Sequence, residues 1–518
     1  MRNCKSEILC TILFGTAVLL FFGLAYPHHL HYQEQYQLFL FDGTYVWDIV
    51  RHPGGVADLL GRFSTQFFLY AWVGALIIAL LLSAIQLLTL RLFDCQLSTV
   101  NSQRLTVNGQ WLYGLSFVPS FLLWLFLLDE NALMGGVWAV LLTLLAIWGL
   151  LQLPPKGRGI LLMAVIPVLY WMVGPDWTGS HYHRYPTIVP TLLYAAWLSA
   201  VLLPLFVRIL VVRVQRSKGK GQKLKGKVQL STVNCQLSIV NCKLSIFNLL
   251  AFLLVALIMG GLVWKNANIK AEKVMQYDFM ACHQQWNRIL ETIQKEKPNN
   301  QIGVTVQNLA LAMHGMLPEH MFEYNQNGIA GLLPDVKEDA TSPIPTAEAF
   351  YQLGMINVAQ RTVFEAQEAI LDFQKSGRCY KRLAQTNLIN GDYEVARKYL
   401  TALQKTLFYR EWANETLPLL GNEEAIARHP EYGRLRRWAY KEDLTFGRTS
   451  SHSAISSELD GSRLTGDFYF SDHVTSEMLK SLYLGSTDNH MAYQYLLAYY
   501  MLTGDREGFA EFQNLIMK

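Results

Sequence analysis

The residues whose types could carry chemistry gather first between positions 27 and 66. There His28, His29, His31, Glu34, Asp42, Asp48 and Asp58 lie among the aromatics Tyr32, Tyr36, Phe39 and Trp47. A carboxylate in this stretch, Glu34 or Asp42, has the chemistry of a general base toward an acceptor hydroxyl, and a divalent cation beside it would steady a departing anion. His181-x-His183 offers imidazole nitrogens to the same ion. These residues also have an ordinary use. Histidines just past a helix end, and carboxylates along a surface helix, suit a water–lipid boundary without any reaction. No Asp-x-Asp pair reinforces the metal reading within 27–66, and the chain holds no Gly-rich phosphate loop, His-Glu-x-x-His, Gly-x-Ser-x-Gly or paired Cys-x-x-Cys. Whether the chain is an enzyme therefore stays open; a divalent metal is expected only if it is, and no other cofactor.

The elements that must position these groups are apolar. Hydrophobic residues make up 51% of the 518 and charged residues 16%, where a soluble protein carries about a quarter charged, so part of the chain belongs in lipid. A bilayer core needs roughly 20 apolar residues as one helix, because lipid offers no partner to a free backbone group. Runs that meet or approach this length lie at 8–26, 67–90, 111–128, 133–153, 160–173, 188–212 and 249–264, the fifth short and broken by Pro167. Asp129-Glu130-Asn131 makes the third and fourth a tight hairpin. The expected fold is all-α, a polytopic bundle of about seven spans over 1–264 followed by a soluble helical domain over 265–518. No small-x-small cleavage site follows the first run, so it reads as a retained span, and Ile8-Leu9 before Cys10 do not suit lipoprotein processing.

Basic residues set the orientation. Arg2, Lys5, Arg91, Arg104, Lys156 and Arg158 alternate with loops poor in base, and the 213–247 loop carries Arg213, Arg216, Lys218, Lys220, Lys223, Lys225 and Lys227. The amino terminus and the 213–247 loop are thereby cytoplasmic, and the 27–66 loop and everything after 264 lie outside. The basic run is a topological anchor, with anionic headgroups as its alternative partners. A net charge of +4 does not suggest nucleic-acid binding. No ionisable residue falls near the middle of a span, as an ion-coupled transporter usually requires. Gln96–Asn101 recurs as Gln229–Asn234, as Gln236–Asn241 and more loosely as 243–248, and is read as a tandem insertion without function. Seven cysteines show no metal-ligand spacing; Cys282 and Cys379 share a side that permits a disulfide.

In the soluble half Met275, Phe279, Cys282, Trp286, Ile289 and Ile293 recur every three or four residues. They predict one amphipathic helix running on from the membrane to Pro298-Asn299-Asn300. Residues 325–345 and 448–466 read as long loops. The stretch 380–403 resembles a tetratricopeptide repeat: Tyr380, Leu383-Ala384 and Asn387 stand at the helix-A positions, and Ala396 and Leu400 on helix B. Gly391 would end the first helix and Asp392 cap the second. A second unit, 493–512, places Tyr493, Leu496 and Tyr500 on helix A but Phe509 where Ala belongs. Weaker pairs lie around 309–322 and 350–373. Tyr380, Asn387, Tyr493 and Tyr500 are the candidate binding positions, with mainly structural duty.

Glu34-Gln35-x-Gln37-Leu38-Phe39, then Pro53-Gly54-Gly55 and Gln66-Phe67-Phe68, ahead of a soluble half after a last helix, resemble an uncharacterised family of bacterial multi-pass inner-membrane proteins with a tetratricopeptide-like tail. The resemblance covers nearly the full length and implies architecture, with a periplasmic carboxyl-terminal domain, but almost no chemistry. The layout is also similar to that of polytopic glycosyltransferases using lipid-phosphate sugar donors, in which an acidic residue of the first outer loop is base or metal ligand; Glu34 and Asp42 would take that role. The expected function is a membrane-anchored interaction or scaffold protein, its partners membrane lipids and a protein or peptide at the helical domain. The glycosyltransferase-like enzyme is the alternative.

Overall fold

The computed structural model describes residues 4–98, 113–153, 155–174, 189–218, 246–335, 343–370, 374–440 and 475–517. Every regular element among them is helical. The chain divides into two units, one of Met1–Glu34 with Asp42–Ile269, the other of Gln35–Phe41 with Lys270–Lys518.

The first unit is built on α1 (Cys4–Leu20), α2 (Pro27–Glu34), α3 (Gly43–Val50), α4 (Gly55–Thr65), α5 (Ala71–Ser98), α6 (Val118–Phe126), α7 (Met134–Gln152), α8 (Pro155–Val173), α9 (Val189–Lys218) and α10 (Ile246–Asn266). Helix α5 is its axis, packing on α1, α6, α7 and α9. Phe14 meets Phe117, Phe121 and Trp124 edge-on at 5.0–6.0 Å, so aromatic edges fill the seam between α1 and α6. A polar ladder crosses the same core: Thr11 Oγ1 donates to Gln86 Oε1 and Gln86 Nε2 to Ser116 Oγ, each at 2.9 Å. The outward faces are apolar; Leu80, Met163, Leu198, Phe206 and Leu257 all stand exposed.

Among the described residues four helices are long and apolar enough to cross a membrane: Ser6–Ala25, Ala71–Phe93, Met134–Gln152 and Leu249–Asn266. Seven were expected. The other three runs are helical too, but their apolar stretches Tyr113–Phe126, Leu161–Val173 and Thr191–Phe206 are shorter. The 27–66 loop holds three helices, α2, α3 and α4. Pro53-Gly54-Gly55 makes the turn into the last of them, Gly54 taking φ 84°, which costs glycine nothing. The basic residues beyond Lys218, the repeat copies at 229–241 and the 448–466 loop lie outside the described residues, and the looser copy at 243–248 runs into α10 at Ile246.

The second unit runs through α11 (Ile269–Cys282), α12 (Trp286–Glu296), α13 (Gln301–Met313), α14 (Leu317–His320), α15 (Pro343–Leu353), α16 (Ile356–Ala369), α17 (Gly377–Asn390), α18 (Tyr393–Gln404), α19 (Arg410–Thr416), α20 (Glu423–Arg428), α21 (Pro430–Trp438), α22 (Thr475–Gly485), α23 (His490–Thr503) and α24 (Arg506–Ile516). The single helix expected over 275–293 is two, because Gln284 at φ 53° breaks it; the last span likewise ends at Asn266 before α11 starts. The pairs at 380–403 and 493–512 are α17/α18 and α23/α24, and 350–373 falls on α15/α16. The pair around 309–322 is the end of α13 with a single turn, not two helices. Gly391 ends α17 at φ 89° as expected, whereas Asp392 makes no side-chain cap on α18; Asp505 does cap α24, accepting from Gly508 N at 2.9 Å. Successive pairs stack, but α23 returns onto α13, α14 and α15, so the array closes on itself instead of continuing as an open superhelix.

Candidate functional site

In the first unit the candidate residues of the 27–66 stretch are fixed locally. His29 is fully buried on α2, and its Nε2–H donates to the Leu127 carbonyl at 3.0 Å; burial lowers its pKa to about 4. One turn on, Gln33 Nε2 donates to the carbonyls of Asp129 and Ala132 at 3.3 Å. Together they stitch α2 to the acidic hairpin turn, satisfying carbonyls that the end of α6 leaves open. Glu34 is 6% exposed at the end of α2. Asp42 caps α3, its Oδ1 accepting from Thr44 N at 3.0 Å and Thr44 Oγ1 at 2.8 Å. Asp48 pairs with Arg51 at the surface, and Asp58 takes Arg62 in a two-oxygen grip at 3.0 Å. No group of three His, Cys, Asp or Glu assembles as a metal site among the described residues, and His181 and His183 lie outside them.

The second unit holds an arrangement that the periodicities did not announce. Its segment Gln35–Phe41 belongs to no regular element, beginning with a turn at Gln35 and Tyr36, and two main-chain bonds anchor it: Leu38 N donates to Lys375 O at 2.8 Å, and Phe41 N to Lys405 O at 2.7 Å. Between these anchors the Leu38 side chain, 5% exposed, enters a pocket of Ala384, Leu400, Leu403 and Ala413, with Leu40 beside it against the same cluster. Small Ala384 and Ala413 leave the room that the leucine fills. The Lys405 carbonyl sits at the C-terminal cap of α18 and that of Lys375 just ahead of the N-cap of α17, so the passing segment takes both without breaking a helix.

Beyond Trp412, on the α11, α15, α17 and α21 faces, lies a cluster of charge. Arg378 grips Asp278 through two bonds of 2.6 and 2.8 Å, and Arg382 pairs with Glu348. The Arg382 guanidinium lies 3.6 Å over the Tyr351 ring, whose hydroxyl donates to Glu431 at 2.9 Å. Gln352 donates to Glu348 at 3.0 Å and accepts from Arg434 at 3.1 Å. Lys381 stands 5.1 Å over Trp412. Burial pushes the Lys381 ammonium below its ordinary pKa. Cys282 and Cys379 are free thiols. The readable signal was spacing: Arg378, Lys381, Arg382 and Gln385 share one face of α17, as Glu348, Tyr351 and Gln352 do on α15.

The repeat-position candidates are packing residues. Tyr380 meets Tyr399 edge-on at 5.1 Å beside the Leu38 pocket. Asn387 is buried between α16 and α17, accepting from Gln360 Nε2 at 3.2 Å. Tyr493 and Tyr500 both pack on Phe512.

No curated protein and no solved structure matches the chain. The family described as "Family of unknown function (DUF6057)" matches residues 3–518, and the chain belongs to it.

Proposed function

We propose that this family member is a multi-pass membrane protein whose carboxyl-terminal helical unit is an interaction module, holding a segment of the first inter-helix loop. The observation that carries the reading is Leu38, seated in its pocket between two main-chain anchors. A helical domain that already takes one loop segment by knob and backbone has the means to engage such segments. Lipid supports the anchoring half of the reading, through the exposed apolar faces of α5, α8, α9 and α10.

Chain connectivity adds a parity argument. Gln35–Phe41 and Lys270–Lys518 form one unit, so they share one side of a bilayer, and an even number of crossings must separate them. Among the described residues three helices of full membrane length fall between them, Ala71–Phe93, Met134–Gln152 and Leu249–Asn266. An odd number of the shorter apolar helices must then cross as well. With all three crossing, the amino terminus and the 213–247 loop are cytoplasmic, and the unit faces the periplasm of a bacterial cell.

No observation favours the glycosyltransferase-like alternative: Asp42 is engaged as a helix cap and Glu34 is buried. Single-cysteine labelling with a membrane-impermeant maleimide in intact cells tests the proposal. Residues 43, 230 and 326 are the sites to use. Labelling at 43 and 326, with 230 protected until the membrane is opened, is the expected pattern. Opposite accessibility of 43 and 326 would overturn it.

A further inference from the structure

We infer that the charged cluster of the helical unit is a binding site for a single carboxylate group. Its charges do not balance. Arg378 is matched by Asp278 and Arg382 by Glu348, which leaves Lys381 and Arg434 against Glu431 alone. Neither remaining cation has a carboxylate within ion-pair distance among the described residues: Lys381 faces the Trp412 ring, and Arg434 bonds the Gln352 amide and lies 4.8 Å over Trp438. Glu431 itself is engaged by the Tyr351 hydroxyl. On the floor of the cluster Arg382 Nη1 is buried with no hydrogen-bond partner. A buried donor left unbonded, together with an uncompensated cation, is a standing cost that an incoming anion removes.

One excess positive charge calls for one monoanion, and among monoanions a carboxylate matches the planar guanidinium fork. Lys381, Arg434 and Glu431 are half-buried, so the cluster opens to solvent along one edge while Tyr351 and Glu348 close its floor. The Trp412 ring that carries Lys381 also borders the pocket that Leu38 fills, so the carboxylate site lies beside the seated loop segment. This names the partner chemistry of the interaction module proposed above. Its test reads the site in the purified protein, so a failure here leaves the labelling result standing.

The experiment is amide hydrogen exchange on the full chain in mild detergent, comparing sodium acetate with sodium chloride at equal pH and ionic strength. Acetate at about ten times its dissociation constant slows local exchange about tenfold. Peptides from α17 and α21 should show that slowing and peptides from α22 should not. Lys381→Met removes the difference between the salts, and Lys381→Arg restores it, which separates loss of the site from loss of the fold. N-acetyl-leucine against N-acetylglutamic acid α-amide then tells a chain terminus from an acidic side chain as the source. Equal exchange in acetate and chloride would overturn the inference. So would an acetate effect that survives in Lys381→Met, or protection by inorganic phosphate without any by acetate.

Discussion

Single residues in this chain carry opposite electrostatic duties. His29 is buried and neutral, donating to Leu127, and burial holds its pKa at about 4 against an ordinary 6.5. Its folded value is depressed, so between these limits the unfolded chain binds the extra proton. The stabilisation is therefore complete above pH 6.5 and lost as pH falls toward 4, amounting to about 3 kcal/mol. Acid titration of unit-one unfolding should show that slope, and His29→Gln, which keeps a donor to Leu127, should flatten it. In the second unit Glu348 is 2% exposed and tied to Arg382 and Gln352. Glu348→Gln strands a buried guanidinium, and denaturant unfolding should register a loss of about 3–5 kcal/mol; the double change Glu348→Leu with Arg382→Met should recover most of it. Both residues were visible in the sequence as polar groups of the right type. Their partners were not, because Leu127 is a carbonyl in a hairpin turn and Arg382 lies 34 positions along the chain from Glu348.

At the scale of elements, apolar periodicity located the helices well and their ends less well. The run expected over 275–293 kept its period through a break, because the chain resumes in step after Gln284. Helix punctuation held at Gly391, which stops α17 as expected, while Asp505, for which no cap was expected, caps α24. Asp392, in the same sequence context as Asp505, leaves α18 uncapped, so the motif alone did not settle the bond. The part that no periodicity marks is the segment 35–41. It has neither helical nor strand-pair repetition, and its two anchors, Lys375 ahead of α17 and Lys405 at the end of α18, lie hundreds of positions along the chain. Leu38→Ala empties a pocket lined by Ala384, Leu400, Leu403 and Ala413 and should cost about 2–5 kcal/mol. Limited proteolysis would then find cleavage between 35 and 41 much faster than in the parent chain, while cleavage within α17 and α18 stays slow.

For the whole molecule, the sequence by itself determined the class of structure. Its 51% hydrophobic content and long apolar runs require helices in the first half, and interspersed charges with helix-pair punctuation require them in the second. Composition acts locally, so it is legible from one chain. Only the tertiary structure decided which parts belong together. It assigned Gln35–Phe41 to the carboxyl-terminal unit, returned α23 onto α13, and brought α11, α15, α17 and α21 around one unbalanced charge. These are contacts between residues tens to hundreds of positions apart. Their free energy comes from shape and charge matching across faces, which a linear pattern of residue types does not encode.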